Sequence, residues 1–175
     1  MNSLLDKYLP EYHFSETHSI LIEANRETVW QAIEQVDASD SKIIRFLFRL
    51  RGMPKESVTT RNLDWKIFTE LERIPNDEFI VGLIGQFWKP KGNLQQFHPS
   101  AFATFSNPKF AKGVMNFKVM KENDDCRTRA ITETRVQITG WKARLLFSCY
   151  WCVVKPFSGL IRMEMLKAIK NKCIL

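Results

Sequence analysis

Hydrophobic spacing along this chain changes from period two to helical and back. Residues 12–23 alternate, with Phe14, Ile20 and Ile22 on one parity, which predicts a half-buried strand. Asn25 is positioned as an N-cap, and residues 26–36 then place Val29, Trp30, Ile33 and Val36 on one helical face. A polar connection, residues 37–41, leads to a second helical pattern over residues 42–51. Ile43, Phe46, Leu47 and Leu50 form its apolar side, Arg45 and Arg49 point outward, and Gly52 and Pro54 end it. Strand patterns follow at residues 65–72, 79–88, 110–120 and 126–139, with turns at 75–77, 89–92 and 123–125. Residues 99–106 suggest a short helix opened by Pro99. The first ten residues read as a loosely held lead-in.

From Trp141 onward the chain reads as one long helix. About 30 residues at 1.5 Å each span about 45 Å. Residues 145–154 are apolar nearly all round, so both sides there are expected to be covered. The N-terminal segment, a loop or a second copy in a homodimer could serve. After Pro156 the helix becomes amphipathic, with Ile161, Met165 and Ile169 opposite Lys167, Lys170 and Lys172. The chain alternates twice over its last two strands. Gly113, Met115, Phe117 and Val119 share one parity, and Ala130, Thr132, Thr134 and Val136 share another. The opposite parity of the last strand carries Arg127, Arg129, Glu133 and Arg135, which is expected to face water. The inner sets therefore face the long helix. Antiparallel strands flanked by helices indicate α+β, with one domain over residues 1–175.

Composition adds three constraints. The chain has 175 residues and is 45% hydrophobic, enough for a globular core, and its 13 Phe and 5 Trp suit a wide core or the walls of a pocket. The net charge of +7 favours anionic surroundings, but no nucleic-acid motif accompanies it. Nucleic acid is not an expected partner, whereas weak contact with an anionic membrane surface is consistent with the basic helix end. No signal segment or spanning run is apparent, so a reducing, cytoplasmic setting with four free thiols is expected.

Candidate chemistry is sparse. Cys149 and Cys152 lie at helical i, i+3 spacing among large apolar residues, which suits buried structural cysteines better than a redox pair. No spacing matches a metal site, and no cofactor is implied. Of His13, His18 and His98, His18 shares the inner parity of Phe14 and Ile20, so it is the histidine placed to act as an acid or base. Glu70 is the second weak catalytic candidate, because a carboxyl buried in an apolar cavity would be a proton donor near neutral pH.

Several stretches resemble the START-like helix-grip superfamily, also called SRPBCC, which includes Bet v 1-type proteins and polyketide cyclases. The entry Ala24-Asn-Arg-Glu-Thr-Val-Trp30 is similar to its strand-to-helix junction. Gly82-Leu-Ile-Gly85-Gln-Phe87-Trp88, Asn116-Phe117-Lys-Val119, Thr132-Glu-Thr-Arg-Val136 and Lys155-Pro-Phe-Ser-Gly159 resemble an uncharacterised bacterial branch. The likeness covers nearly the whole chain. It implies a curved antiparallel sheet wrapped around the C-terminal helix, with a hydrophobic cavity between them. Members hold lipids, sterols, polyketides or other apolar molecules, and a few catalyse cyclisation or dehydration; no catalytic motif carries over. The expected lining is then Phe147, Trp151, Ser158 and Ile161 from the helix and Met115, Phe117, Thr132 and Thr134 from the sheet, closed by Phe46 and Phe87. The expected function is binding a hydrophobic or lipid-like small molecule as a carrier or sensor. The alternatives are a cyclase- or dehydratase-type enzyme and a membrane-surface or protein-interaction module.

Overall fold

The computed structural model describes residues 3–35, 68–89, 92–122 and 126–173. The expected helix over residues 42–51, including Phe46, lies outside them. Helix α1 (Leu4–Tyr8) leads into strand β1 (Phe14–Ile22) and helix α2 (Arg26–Gln35). Strands β2 (Thr69–Ile74) and β3 (Glu78–Gly85) precede a 3-10 turn at Pro99–Ala101. Strands β4 (Ala111–Lys121) and β5 (Thr128–Gln137) then lead to the 33-residue helix α3 (Trp141–Cys173). The strands form one antiparallel sheet in the order β1-β5-β4-β3-β2. With α3 laid along β1 and α2, this is the α+β helix-grip arrangement.

Local chemistry explains the junctions. Asn25 caps α2, its Oδ1 accepting from the Thr28 N–H at 2.8 Å. Gly140 starts α3 tight against the Pro108 carbonyl, where a Cβ would not fit. The turn between β2 and β3 uses Asn76 at φ 56°, a left-handed position that Asn tolerates.

The inner face carries two apolar clusters. Toward the far end of α3, Phe79 stacks on Phe117 at 5.5 Å and meets Trp30 edge-on, with Val29, Ile33, Ile161, Met165 and Ile169 closing around them. Near the start of α3, Phe147 is 1% exposed and touches the rings of Phe14, Phe87, Trp88, Tyr150 and Trp151.

The outer face departs from expectation. Residues 4–9 are not a loose lead-in. Leu4, Leu5 and Leu9 are buried against Ile80, Ile84, Val114 and Phe102. Glu78, 1% exposed, anchors them: it accepts from Ser3 Oγ at 2.6 Å, Leu4 N at 3.0 Å and Asn116 Nδ2 at 2.6 Å, with Lys118 Nζ 3.4 Å away. The charged parity of β5 is therefore only partly in water. Arg135 is buried between Glu133 and Asp6, at 2.6 and 2.7 Å, and the Arg135 guanidinium holds the Asp6 carboxyl below its ordinary range.

Lys112 also lies on this covered face, 9% exposed. Its Nζ donates to the carbonyls of Ala103 at 3.2 Å and Phe102 at 3.4 Å. Burial lowers its pKa from 10.5. Between the folded value and 10.5 the unfolded chain holds the proton that the folded chain releases, so this group makes stability rise with pH there. At neutral pH the burial penalty is fully present. Relative to the native chain, Lys112→Met is expected to be at its best at neutral pH and to lose ground at alkaline pH. Urea titrations of both proteins at the two pH values check this; a constant gap would contradict it.

Candidate ligand-binding site beneath the C-terminal helix

Between the two inner clusters lies a polar patch. Strand register sets His18 opposite Thr132 and Glu16 opposite Thr134, with Met115 beside Thr134 on β4. Side chains two apart on a strand share a face, so all five point toward α3. Helix α3 answers with Gly159 and Arg162. A Cβ on Gly159 would stand 2.7 Å from Glu16 Oε1 and 3.2 Å from His18 Nε2, so glycine is what lets the helix backbone come this close.

The Glu16 side chain is 9% exposed and the His18 side chain 22%. His18 Nε2 lies 3.1 Å from Glu16 Oε1, close enough for a charge contact but not aligned as a hydrogen bond. Arg162 Nη1 donates to Thr132 Oγ1 at 2.8 Å, and that hydroxyl donates to the Asn116 carbonyl at 2.8 Å. The β4–β5 pairing is interrupted here, and the Asn116 side chain takes over, Oδ1 accepting from Glu133 N at 2.7 Å. Glu16 Oε2 and Thr134 Oγ1 are fully buried and, among the described residues, have no hydrogen-bond partner. A carboxylate oxygen and a hydroxyl left so are costly unless something else meets them.

The patch is not sealed. Met115, Thr134 and Leu83 face inward from the middle of the sheet yet remain partly exposed, as do Trp151, Val154 and Ser158 on the facing helix. The helix lies mainly along β1 and α2. The polar patch lies between the Phe147 cluster and the Phe79–Phe117 cluster, flanked by partly exposed apolar side chains.

The expected lining residues divide accordingly. Thr132, Thr134, Met115 and Ser158 border the patch, and Phe87, Phe147 and Trp151 form its aromatic end. Phe117 and Ile161 belong to the packed core around Phe79 and Trp30 instead. Glu70 is not an isolated buried acid: its carboxylate takes a bidentate contact from Arg73, at 2.5 and 3.1 Å. A bulge between Glu70 and Glu72 turns Glu72 to the other face, where it meets Lys7 and Tyr8. His13 and His98 serve local backbone contacts: His13 Nδ1 accepts from Ile138 N, and His98 caps the 3-10 turn. Cys149 and Cys152 are exposed rather than buried, because no described residue covers their side of α3. Glu16, Gly159 and Arg162 had no assigned role from sequence. Glu16 shares the parity of His18, and Arg162 follows Ile161 on the buried side of α3, which are the available signals.

Among the described residues no group of three His, Cys, Asp or Glu could hold a metal, and no helix is long and apolar enough to cross a membrane. No family model and no curated protein matches the sequence. Solved structures with similar backbones include a conserved protein of Geobacillus kaustophilus (11% identity, 92% of this chain and 95% of that one, TM-score 0.47). Another is the Zhui aromatase/cyclase of Streptomyces sp. R1128 (12%, 91% and 93%, TM-score 0.37). A third is an uncharacterised protein of Bacillus thuringiensis (11%, 93% and 100%, TM-score 0.34).

Proposed function

We propose that the chain binds an apolar, ring-containing small molecule in the groove beneath α3, with a hydroxyl or carbonyl end seated at Glu16 and Thr134. The observation that supports this is the pair of buried oxygens on Glu16 and Thr134, without a hydrogen-bond partner among the described residues, beside partly exposed apolar side chains of sheet and helix. Ligand sites combine mostly apolar walls with a few convergent polar groups. A ligand hydroxyl would donate to Glu16 Oε2 and accept from Thr134 Oγ1. Phe147 and Trp151, stacked at 5.6 Å, would hold the ring end. A carrier or sensor role follows.

Trp151 is the ring most accessible to a ligand, since Phe147 is buried behind it. Trp151→Ala is expected to weaken binding of 2-naphthol about tenfold or more, as burial of an aromatic side chain against ligand is worth about 1.5–3 kcal/mol. Fluorescence titration of both proteins measures it, and equal affinities would count against the groove. Native mass spectrometry of protein purified from its own host should also show an added small-molecule mass.

A second reading is proton transfer on the bound molecule, of the cyclase or dehydratase type. It is favoured by the Glu16–His18 contact, which would orient the imidazole. In that case His18→Gln would abolish turnover while leaving 2-naphthol binding within about twofold.

A further inference from the structure

Among the described residues, the outward side of α3 is apolar and exposed over its first five turns. Trp141 is 70% exposed, Leu145 61%, Leu146 55%, Val153 66%, Phe157 44% and Leu160 45%. At helical spacing these fall on one side. The opposite side, through Ala143, Phe147 and Ile161, is buried on the sheet. The outward face can therefore be used without disturbing the fold. A continuous apolar surface of this kind marks an interaction site.

Its electrostatic frame is one-signed. No acidic residue occurs between Glu133 and Glu164. Lys142 and Lys155 are exposed along the helix. Two loops meet its first turns, Trp88 against Phe147 and Pro108 against Gly140, and each presents an exposed lysine beside that contact, Lys89 and Lys109. Beyond the apolar stretch, Lys167, Lys170 and Lys172 continue the positive sign, with Lys167 paired to Glu164.

We infer that this face lies on an anionic lipid surface, with the apolar side chains entering the headgroup boundary and the lysines meeting lipid phosphates. Leu and Phe with a Trp at one end, rimmed by lysine, suit an interfacial helix. The helix is too polar to span, so it rests on the surface. A second copy fits less well. A two-fold contact through the same face would bring Lys142 of both copies together, in a chain already carrying +7.

The test is sedimentation of the full chain with phosphatidylcholine vesicles, with and without phosphatidylglycerol, at physiological ionic strength. The full chain is expected to bind the anionic vesicles at least tenfold more tightly than the neutral ones. Leu145→Glu and Val153→Glu are expected each to weaken that binding about tenfold or more while leaving the melting temperature unchanged, because both sites are exposed. Binding that these variants leave intact overturns the inference, as does absence of binding to the anionic vesicles. A dimer in light scattering that the same variants dissociate, without vesicle binding, would assign the face to a second copy and equally overturn it.

Discussion

Replacing Phe147 by alanine is expected to cost about 3–5 kcal/mol of stability, the range for removing a large buried aromatic side chain. Phe147 is 1% exposed and its ring lies between 4.8 and 6.3 Å from those of Phe14, Phe87, Trp88, Tyr150 and Trp151. Those partners come from β1, from the loop after β3 and from the next turn of α3. No single neighbour can move to fill the void without releasing another. Part of the loss is the transfer of the ring to water, and part is the cavity left behind. Phe147→Leu should cost less than half as much. Guanidinium titrations of the three proteins decide it; a loss below about 1 kcal/mol for alanine would mean that the cluster is not a cooperative core.

Glu78→Ala should be comparably damaging, about 3–5 kcal/mol, for a different reason. The carboxylate is buried and receives Ser3, Leu4 and Asn116, with Lys118 adjacent. Truncation strands the Asn116 amide and leaves the Lys118 ammonium without its counter-charge. It also frees the start of α1, so hydrogen exchange over residues 4–9 should accelerate along with global unfolding. Glu78→Gln keeps an acceptor and should cost less. If alanine and glutamine behaved alike and mildly, the anchor would be incidental.

These two sites differ in how far the sequence revealed them. Phe147 was readable: strand parity gave the inner face, and helical spacing aligned Phe147 with Trp151 and Ile161 along α3. The anchoring of α1 was not. Five residues are too few for a periodic pattern, and a buried Glu looks like any other Glu until its partners arrive from residues 3, 4, 116 and 118. One signal did exist. Residues 79–84 are apolar on both parities, and a strand buried on both faces needs cover on both. Ile80 and Ile84 required α1 just as Phe79 and Val81 required α2 and α3.

A bulge at Leu71 sets Glu70 and Glu72 on opposite faces, which strict alternation cannot foresee. Residues 145–154 show the opposite error. Apolar composition all round was taken to require cover, but hydrophobicity specifies burial against something without naming what. In the site, His18, Thr132 and Thr134 followed from parity alone. Arg162 and Gly159 did not, since their meaning depends on the register of helix against sheet, which no local spacing encodes.

The most direct test of the groove is selectivity for a hydroxyl. Isothermal titration of the native chain with 2-naphthol and with 2-methylnaphthalene compares two ligands of similar shape that differ in the one group Glu16 and Thr134 would meet. A hydrogen bond to a charged acceptor is worth about 1.5–3 kcal/mol, so 2-naphthol should bind about tenfold or more tightly. The preference should vanish in Glu16→Met/Thr134→Val, which removes both polar groups. Equal binding of the two ligands by the native chain, or a preference that survives the double substitution, would contradict a ligand site at Glu16 and Thr134.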